Sequence, residues 1–387
     1  MNVRAAIANM AEPATTANAA NWREILEKIG PELEKEGRDC DVAGEFVSLN
    51  LAKLQHHGFF ALGVPAELGG GGLDFTGMCA MLRALGRWDG STALTLSMHS
   101  HQVMVTEWKR RVMGAPTEAL LKRIVQEGLR LVSSGGSDWL AGSGRAEKVE
   151  GGYRIFARKV FSSGSPEGDL LMTSAIYNDP AKGPQVIHFG LPMKAQGVRV
   201  LSNWDTMGMR GTGSHDVDID GTFVPDAAIA ASRDPGVWHF LFHLTSMIAM
   251  PMVYSVYAGI ADGIRGNALE LVRGKKKADT AFLMAVGELE NAHASLDLAY
   301  RAIIECGNEK PSEETTNRVM TLRNLLGKAA LEVASRALDC ASGAGFFRAA
   351  GLEQRFRDMQ AARFHPLQDR TQQLYAARMA LGLSVDG

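Results

Sequence analysis

Asp216–Asp220 reads DVDID, and the fold turns on it: Val217 and Ile219 alternate with three aspartates, the period of a half-buried antiparallel strand. Tyr153 and Ile155 alternate with Arg154 and Phe156 in the same way. Turn punctuation at Gly151-Gly152, Asn178-Asp179-Pro180 and Gly183-Pro184 recurs at hairpin spacing, and no helix-length periodic segment interrupts it. Residues 129–236 therefore read as a small all-β, barrel-like domain rather than a βαβ array, closed by Arg233-Asp234-Pro235-Gly236.

Outward from this middle, the period becomes helical on both sides. In 21–128, Val42, Phe46 and Leu49 recur at four and three, as do Met78, Met81, Leu82 and Leu85. Pro116 and Thr117 open a last helix that Gly128 can close. Gly63–Gly72 holds five glycines and reads as a turn. In 237–387, Ser312 followed by Glu313 and Glu314 caps a helix whose Leu322, Leu326, Ala329 and Val333 share one face until Gly343. The expected architecture is mainly α with a central β domain: a loosely held arm (1–20), an N-terminal helical domain, the β domain and a C-terminal four-helix bundle.

Composition narrows the function. At 387 residues and 46% hydrophobic content the chain is too long for one ordinary core. A net charge of −2 gives no field for nucleic acid or anionic lipid, and Lys275-Lys276-Lys277 reads as a solvated loop. Cys40, Cys79, Cys306 and Cys340 lie far apart with no Cys-x-x-Cys pair, which argues against disulfides or zinc and fits a cytoplasmic protein. The apolar run Met247–Ala261 is short for a membrane span and contains Pro251 and Ser255, so it reads as a buried helix and no membrane is expected. Its methionines, Met250 and Met252 among them, could line a greasy substrate pocket or simply fill the core.

Few segments could carry chemistry. Gly211-Thr212-Gly213 precedes a strand pattern, with no acidic residue about 20 positions on, so a Rossmann site is not expected. Phe161 beside Ser162 and Ser163 offers a flat aromatic surface and hydrogen-bond partners, the two needs of a flavin ring. Gly136-Ser137 can cradle a phosphate. His239 and His243 are four apart but lack a third ligand, so no metal is expected.

Taken in order, five segments resemble the acyl-CoA dehydrogenase superfamily: Gly63–Gly70, Gly136-Ser137-Asp138, Lys159–Gly164, Met207–Thr212 followed by Val224-Pro225, and Ser342–Phe346. The resemblance implies FAD, or FMN supplied reduced, held between the β domain and the bundle. Ser137 would meet the phosphates, Phe161, Ser162 and Ser163 would hold the ring, and Gly343 and Gly345 would approach a neighbouring subunit's cofactor. It further implies a small-molecule substrate, a homotetramer built as a dimer of dimers, and a flavin reductase or electron-transfer flavoprotein as redox partner. The superfamily's Arg-x-x-Phe-Gly segment is replaced here by Arg273-Gly274 and three lysines.

In dehydrogenating members an Arg-Asp pair is followed, nine residues after the Arg, by the Glu that removes the substrate proton. In Arg357–Asp369, RDMQAARFHPLQD, that position is Pro366, and the alternative base position on the first bundle helix falls near Ala249. Neither can act as a base. His365 sits beside Pro366, and with Asp89-Gly90-Ser91 followed by His99 it resembles the superfamily's oxygen-using branch, the dibenzothiophene monooxygenase and 4-hydroxyphenylacetate hydroxylase type. That branch would place His99 and His365 together in the reaction cavity. The competing expectations are a dehydrogenase with a base elsewhere and a flavoprotein scaffold without turnover.

Overall fold

The computed structural model describes residues 16–134, 136, 139–273 and 279–386, and its order is helical, then β, then helical. Helices α1 (Trp22–Ala43), α2 (Ser48–His56), α3 (Phe75–Trp88), α4 (Gly90–Met113) and α5 (Glu118–Glu127) come first. Asp74 caps α3 by accepting the Gly77 amide, and Asp89 caps α4 by accepting that of Thr92. Left-handed glycines close α4 and α5 at Gly114 and Gly128, where a side chain would be strained.

The eight strands are β1 (Leu131–Ser133), β2 (Arg145–Val149), β3 (Gly152–Lys159), β4 (Leu170–Asp179), β5 (Gly183–Pro192), β6 (Val198–Val200), β7 (Val217–Pro225) and β8 (Ile229–Arg233). They form one sheet in the order β6-β7-β3-β2-β4-β5-β8, with β1 added parallel to β4. The pairing β3–β7 brings together the two alternating segments that defined the domain in the sequence, Ala157 opposite Ile219 and Lys159 opposite Val217. Val217, Ile219 and Ile155 bury into one cluster with Leu171, Phe189 and Leu191.

The C-terminal part consists of three long helices, α6 (Phe240–Val272), α7 (Thr280–Cys306) and α8 (Glu313–Ala341), and two shorter ones, α9 (Leu352–Met359) and α10 (Asp369–Ala380). Ser312 caps α8 through the Thr315 amide. Helix α6 is long and apolar enough to cross a membrane by composition alone, and 94% of its most apolar stretch is buried inside the protein. It packs against α3, α4, α7 and α8 and is apolar all round because neighbours cover every face. Its crossing with α3 is close: a Cβ at Gly259 would lie 2.0 Å from the Arg83 carbonyl oxygen. Met250 and Met252 belong to this core, at 5% and 0% exposure, so they fill the bundle interior instead of lining an open pocket. The four cysteines are buried and none is in a disulfide among the described residues.

Candidate functional site

The loop after β3 and the loop before β7 meet here, and a set of buried polar contacts fixes how. After β3 the chain reaches Phe161, which has φ 57°, a left-handed conformation that costs a β-carbon-bearing residue of order 1–3 kcal/mol. The flip leaves the Phe161 ring 58% exposed, with the Trp204 ring edge-on at 6.0 Å. Ser162 turns the other way. It is fully buried, with its amide donating to the His215 carbonyl at 3.1 Å.

Ser163 joins a relay of hydroxyls. The Thr212 hydroxyl donates to the Met209 carbonyl at 2.9 Å, which spends its only proton. Thr212 therefore accepts from Ser214 at 2.7 Å, and Ser214 in turn accepts from Ser163 at 2.7 Å. With its proton committed inward, the Ser163 side chain can offer a bound molecule only acceptor lone pairs. Ser165 donates to the Gly213 carbonyl, and the Gly164 amide to that of Thr212, so the two loops are stitched along their length.

The Arg357-Asp358 pair anchors this assembly to the helices. Asp358, buried on α9, accepts the amide of left-handed Met209 at 2.5 Å. Burial, with the nearby carboxylates of Asp89 and Asp41, pushes the Asp358 pKa up to about 7. Arg357 forks onto Asp41 of α1 at 3.0 and 2.5 Å and donates to the Met207 carbonyl at 2.8 Å. Gly208 between them has no room for a side chain, because a Cβ there would lie 2.2 Å from the Arg357 carbonyl oxygen. The pair is a clasp joining α1, the loop before β7 and α9, and neither residue is available for proton transfer to a bound molecule.

The loop between α9 and α10 carries His365. Its Nε2 lies 2.6 Å from the Tyr257 hydroxyl on α6. Burial, and then the Arg323 guanidinium, push the His365 pKa down to about 3, so the ring is neutral near pH 7. Burial raises the Tyr257 phenol well above its ordinary range. The loop backbone is held from below: Arg323 of α8 donates to the His365 carbonyl at 2.8 Å, and Tyr254 of α6 to that of Ala362 at 2.7 Å. Asp369 opens α10 and lies 3.6 Å from Arg323, half-exposed and already engaged by a cation. Ala249 is buried and apolar. Neither superfamily base position holds an ionisable group.

His99 lies on α4 with both ring nitrogens committed to main chain. Nε2–H donates to the Phe60 carbonyl at 2.8 Å and Nδ1 accepts the Leu131 amide at 3.0 Å, which fixes the neutral tautomer. Burial lowers its pKa to about 4. The expected place in a reaction cavity does not agree with these contacts: His99 tacks β1 and the Phe60 turn to α4. Ser162 likewise differs from expectation, since its own loop buries it. Gly345 is packed, with a Cβ there meeting Leu352 at 2.9 Å, whereas Gly343 has open space; both lie in the turn that ends α8 beside exposed Phe346 and Phe347. Ser137 and the Lys275–Lys277 run fall outside the described residues. His239 caps α6 and His243 bonds Thr316, and among the described residues no cluster could hold a metal.

Sequence reasoning did not single out Arg323, Tyr254 or Tyr257. The signal was present, since Val319, Met320, Arg323, Gly327 and Ala330 share one buried helical face, on which an arginine is out of place without a task.

Residues 14–110 match the family model "Acyl-CoA dehydrogenase, N-terminal domain". The chain is 25% identical, over 90% of its length and 93% of the relative's, to putative acyl-CoA dehydrogenase YdbM of Bacillus subtilis. It is 23% identical, over 92% and 93% of the two lengths, to dibenzothiophene monooxygenase of Mycolicibacterium goodii. Among solved structures, KijD3 in complex with FMN and a dTDP-linked amino-keto sugar superposes with a TM-score of 0.85 at 24% identity, over 97% of this chain and 98% of that one. The chain has the fold of the acyl-CoA dehydrogenase superfamily, and residues 14–110 are similar to that family's N-terminal domain.

Proposed function

We propose that the chain is a flavin-dependent oxidoreductase of this superfamily, and that it works with reduced flavin and O₂ rather than by desaturating an acyl-CoA. The flavin-binding half of the reading draws on the relatives, which include acyl-CoA dehydrogenases, a monooxygenase and an FMN-bound structure. The chain's own residues fit a flavin. Phe161 is an exposed ring held in a strained conformation, and the Ser163–Ser214–Thr212 relay beside it presents an ordered acceptor. Both FMN and FAD suit this site. When bound, the flavin would supply the two-electron redox chemistry and the reaction with O₂.

One observation carries the choice of chemistry: the loop that should deliver a carboxylate delivers Pro366, beside a neutral His365 paired with Tyr257. Desaturation requires a base that takes a C–H proton, and Pro366 stands where the carboxylate for that step would be. A neutral imidazole bonded to a protonated phenol, half-buried on the loop, can instead donate or accept a hydrogen bond. The Tyr257–His365 pair would orient a substrate or hold a proton at its hydroxyl. A small-molecule substrate and a separate flavin reductase complete the reading.

The test is anaerobic. The flavin-loaded protein is mixed with a panel of short, medium and branched acyl-CoA thioesters while flavin absorbance is followed. No bleaching is expected, and bleaching by any thioester at a catalytic rate would establish the dehydrogenase reading instead.

A further inference from the structure

At the joint of α1, α4 and α9, the arginines leave two buried carboxylates without a cation of their own. Arg357 of α9 is shared between Asp41 of α1 and Glu353, which it meets at 2.6 Å. Arg355 is spent on Glu34 of α1 at 2.7 Å and on the Trp88 carbonyl. Arg38 lies 3.8 Å from the same Glu34, Arg87 reaches Glu27, and Arg210 donates to the Asp41 carbonyl and faces Asp205. From α6 the joint receives Ile260 and Gly263, neither charged. Asp89 and Asp358 remain, each 2% exposed and with no salt bridge among the described residues.

The two share one narrow cavity of about 10 Å³, together with Gly90, Ile260 and Arg355. That volume suits a single water molecule and excludes a hydrated counter-ion. Asp358 Oδ2 packs against Gly90, the residue after Asp89, lying 3.5 Å from where a Cβ there would stand. Their surroundings differ in sign. Asp89 caps α4 and accepts the Thr92 amide at 2.7 Å, at the helix end that favours a negative charge. Asp358 lies in the last turn of α9, where the carbonyl end of the helix opposes one, and its Oδ1 is already taken by the Met209 amide.

From this arrangement we propose that the pair keeps one proton up to about neutral pH, carried on Asp358 Oδ2 while Asp89 stays charged, so that the joint is a pH-sensitive element of the fold. Losing that proton places a second negative charge beside the first in a place that water and counter-ions barely reach. Burial first, then repulsion from Asp89 and Asp41, outweigh the Met209 amide and Arg357 and bring Asp358 to about 7. An unfolded aspartate releases its proton at about pH 4. Between those limits the native chain holds a proton that the unfolded chain has lost. The stability this contributes is therefore greatest at the acid end of the window, falls as pH rises through it, and is level above it.

Infrared spectra of the whole protein test the proton directly. A carboxylic-acid carbonyl band is expected at about pH 6, lost by about pH 9 and missing from Asp358→Asn throughout. Asp358→Asn keeps an acceptor for the Met209 amide and removes the titration, so its unfolding constant relative to the native protein should fall by about tenfold or more between about pH 5 and pH 8. Asp89→Asn takes away the neighbouring charge and should move the loss of the band to lower pH. The band of the native protein needs no variant to fold, and no flavin takes part, so these results are separate from those that test the flavin reading. Absence of the band from the native protein at about pH 6 overturns the proposal. So does an Asp358→Asn to native stability ratio that is the same at all pH values, or an Asp89→Asn band that titrates where the native one does.

Discussion

His99 and His365 are the same residue type in opposite situations, and the contrast separates scaffold from chemistry. His99 spends both nitrogens on the main chain of Phe60 and Leu131, so its ring is a rivet between α4, β1 and the Phe60 turn. His365 bonds a side chain, the Tyr257 hydroxyl, and is held in place through its own carbonyl by Arg323. A histidine whose backbone is clamped and whose ring meets another ionisable group is the one we propose takes part in the reaction. One whose ring is the clamp is not.

The largest expected effect falls on the rivet. His99→Ala leaves a buried carbonyl and a buried amide without partners and opens a cavity, a loss of about 3–5 kcal/mol measurable by denaturant unfolding. A loss under about 1 kcal/mol would break the comparison from that side. Next comes His365→Ala. It should lower turnover with reduced flavin and O₂ about 100-fold or more, within the range for a positioned proton-transfer group, while the buried Tyr257 hydroxyl that it leaves unpaired costs about 1–3 kcal/mol. Removing the clasp instead, Asp358→Ala, orphans the Met209 amide and should cost about 1–3 kcal/mol.

The smallest effect is in the acid limb of stability. The folded pKa of His99, about 4, lies below its unfolded value near 6.5. As pH falls from 6.5 to 4 the unfolded chain takes up a proton that the folded chain refuses, so this stability is complete above pH 6.5 and drains away below it. The slope is at most about 1.4 kcal/mol per pH unit from this one group. His99→Gln should flatten the limb by about that amount, and an unchanged limb would mean that His99 is not held neutral.

Much of the fold was legible because it rests on local rules. The alternation at Val217 and Ile219, the Ser312 cap and the Gly128 stop each reappear in the structure where their chemistry requires them. The site was legible only as windows of sequence. Which residues in a window face a bound molecule depends on backbone reversals such as that at Phe161, which turns Ser162 inward. Met250 and Met252 show the same limit, since methionines read alike in a core and in a pocket. The contacts that define the loops' arrangement, Arg357 with Asp41 and Arg323 with the His365 carbonyl, join elements far apart in the chain. No periodicity announces them.

The most direct test follows the reoxidation of reduced flavin on the protein after rapid mixing with O₂, for the native chain and for His365→Ala. The account predicts that the native protein alters the course of reoxidation relative to free flavin, and that His365→Ala returns it to the course of free flavin while still binding the cofactor. Identical reoxidation by the two proteins would remove His365 from the reaction with O₂ and contradict the claim that this loop exchanged a carboxylate base for oxygen chemistry.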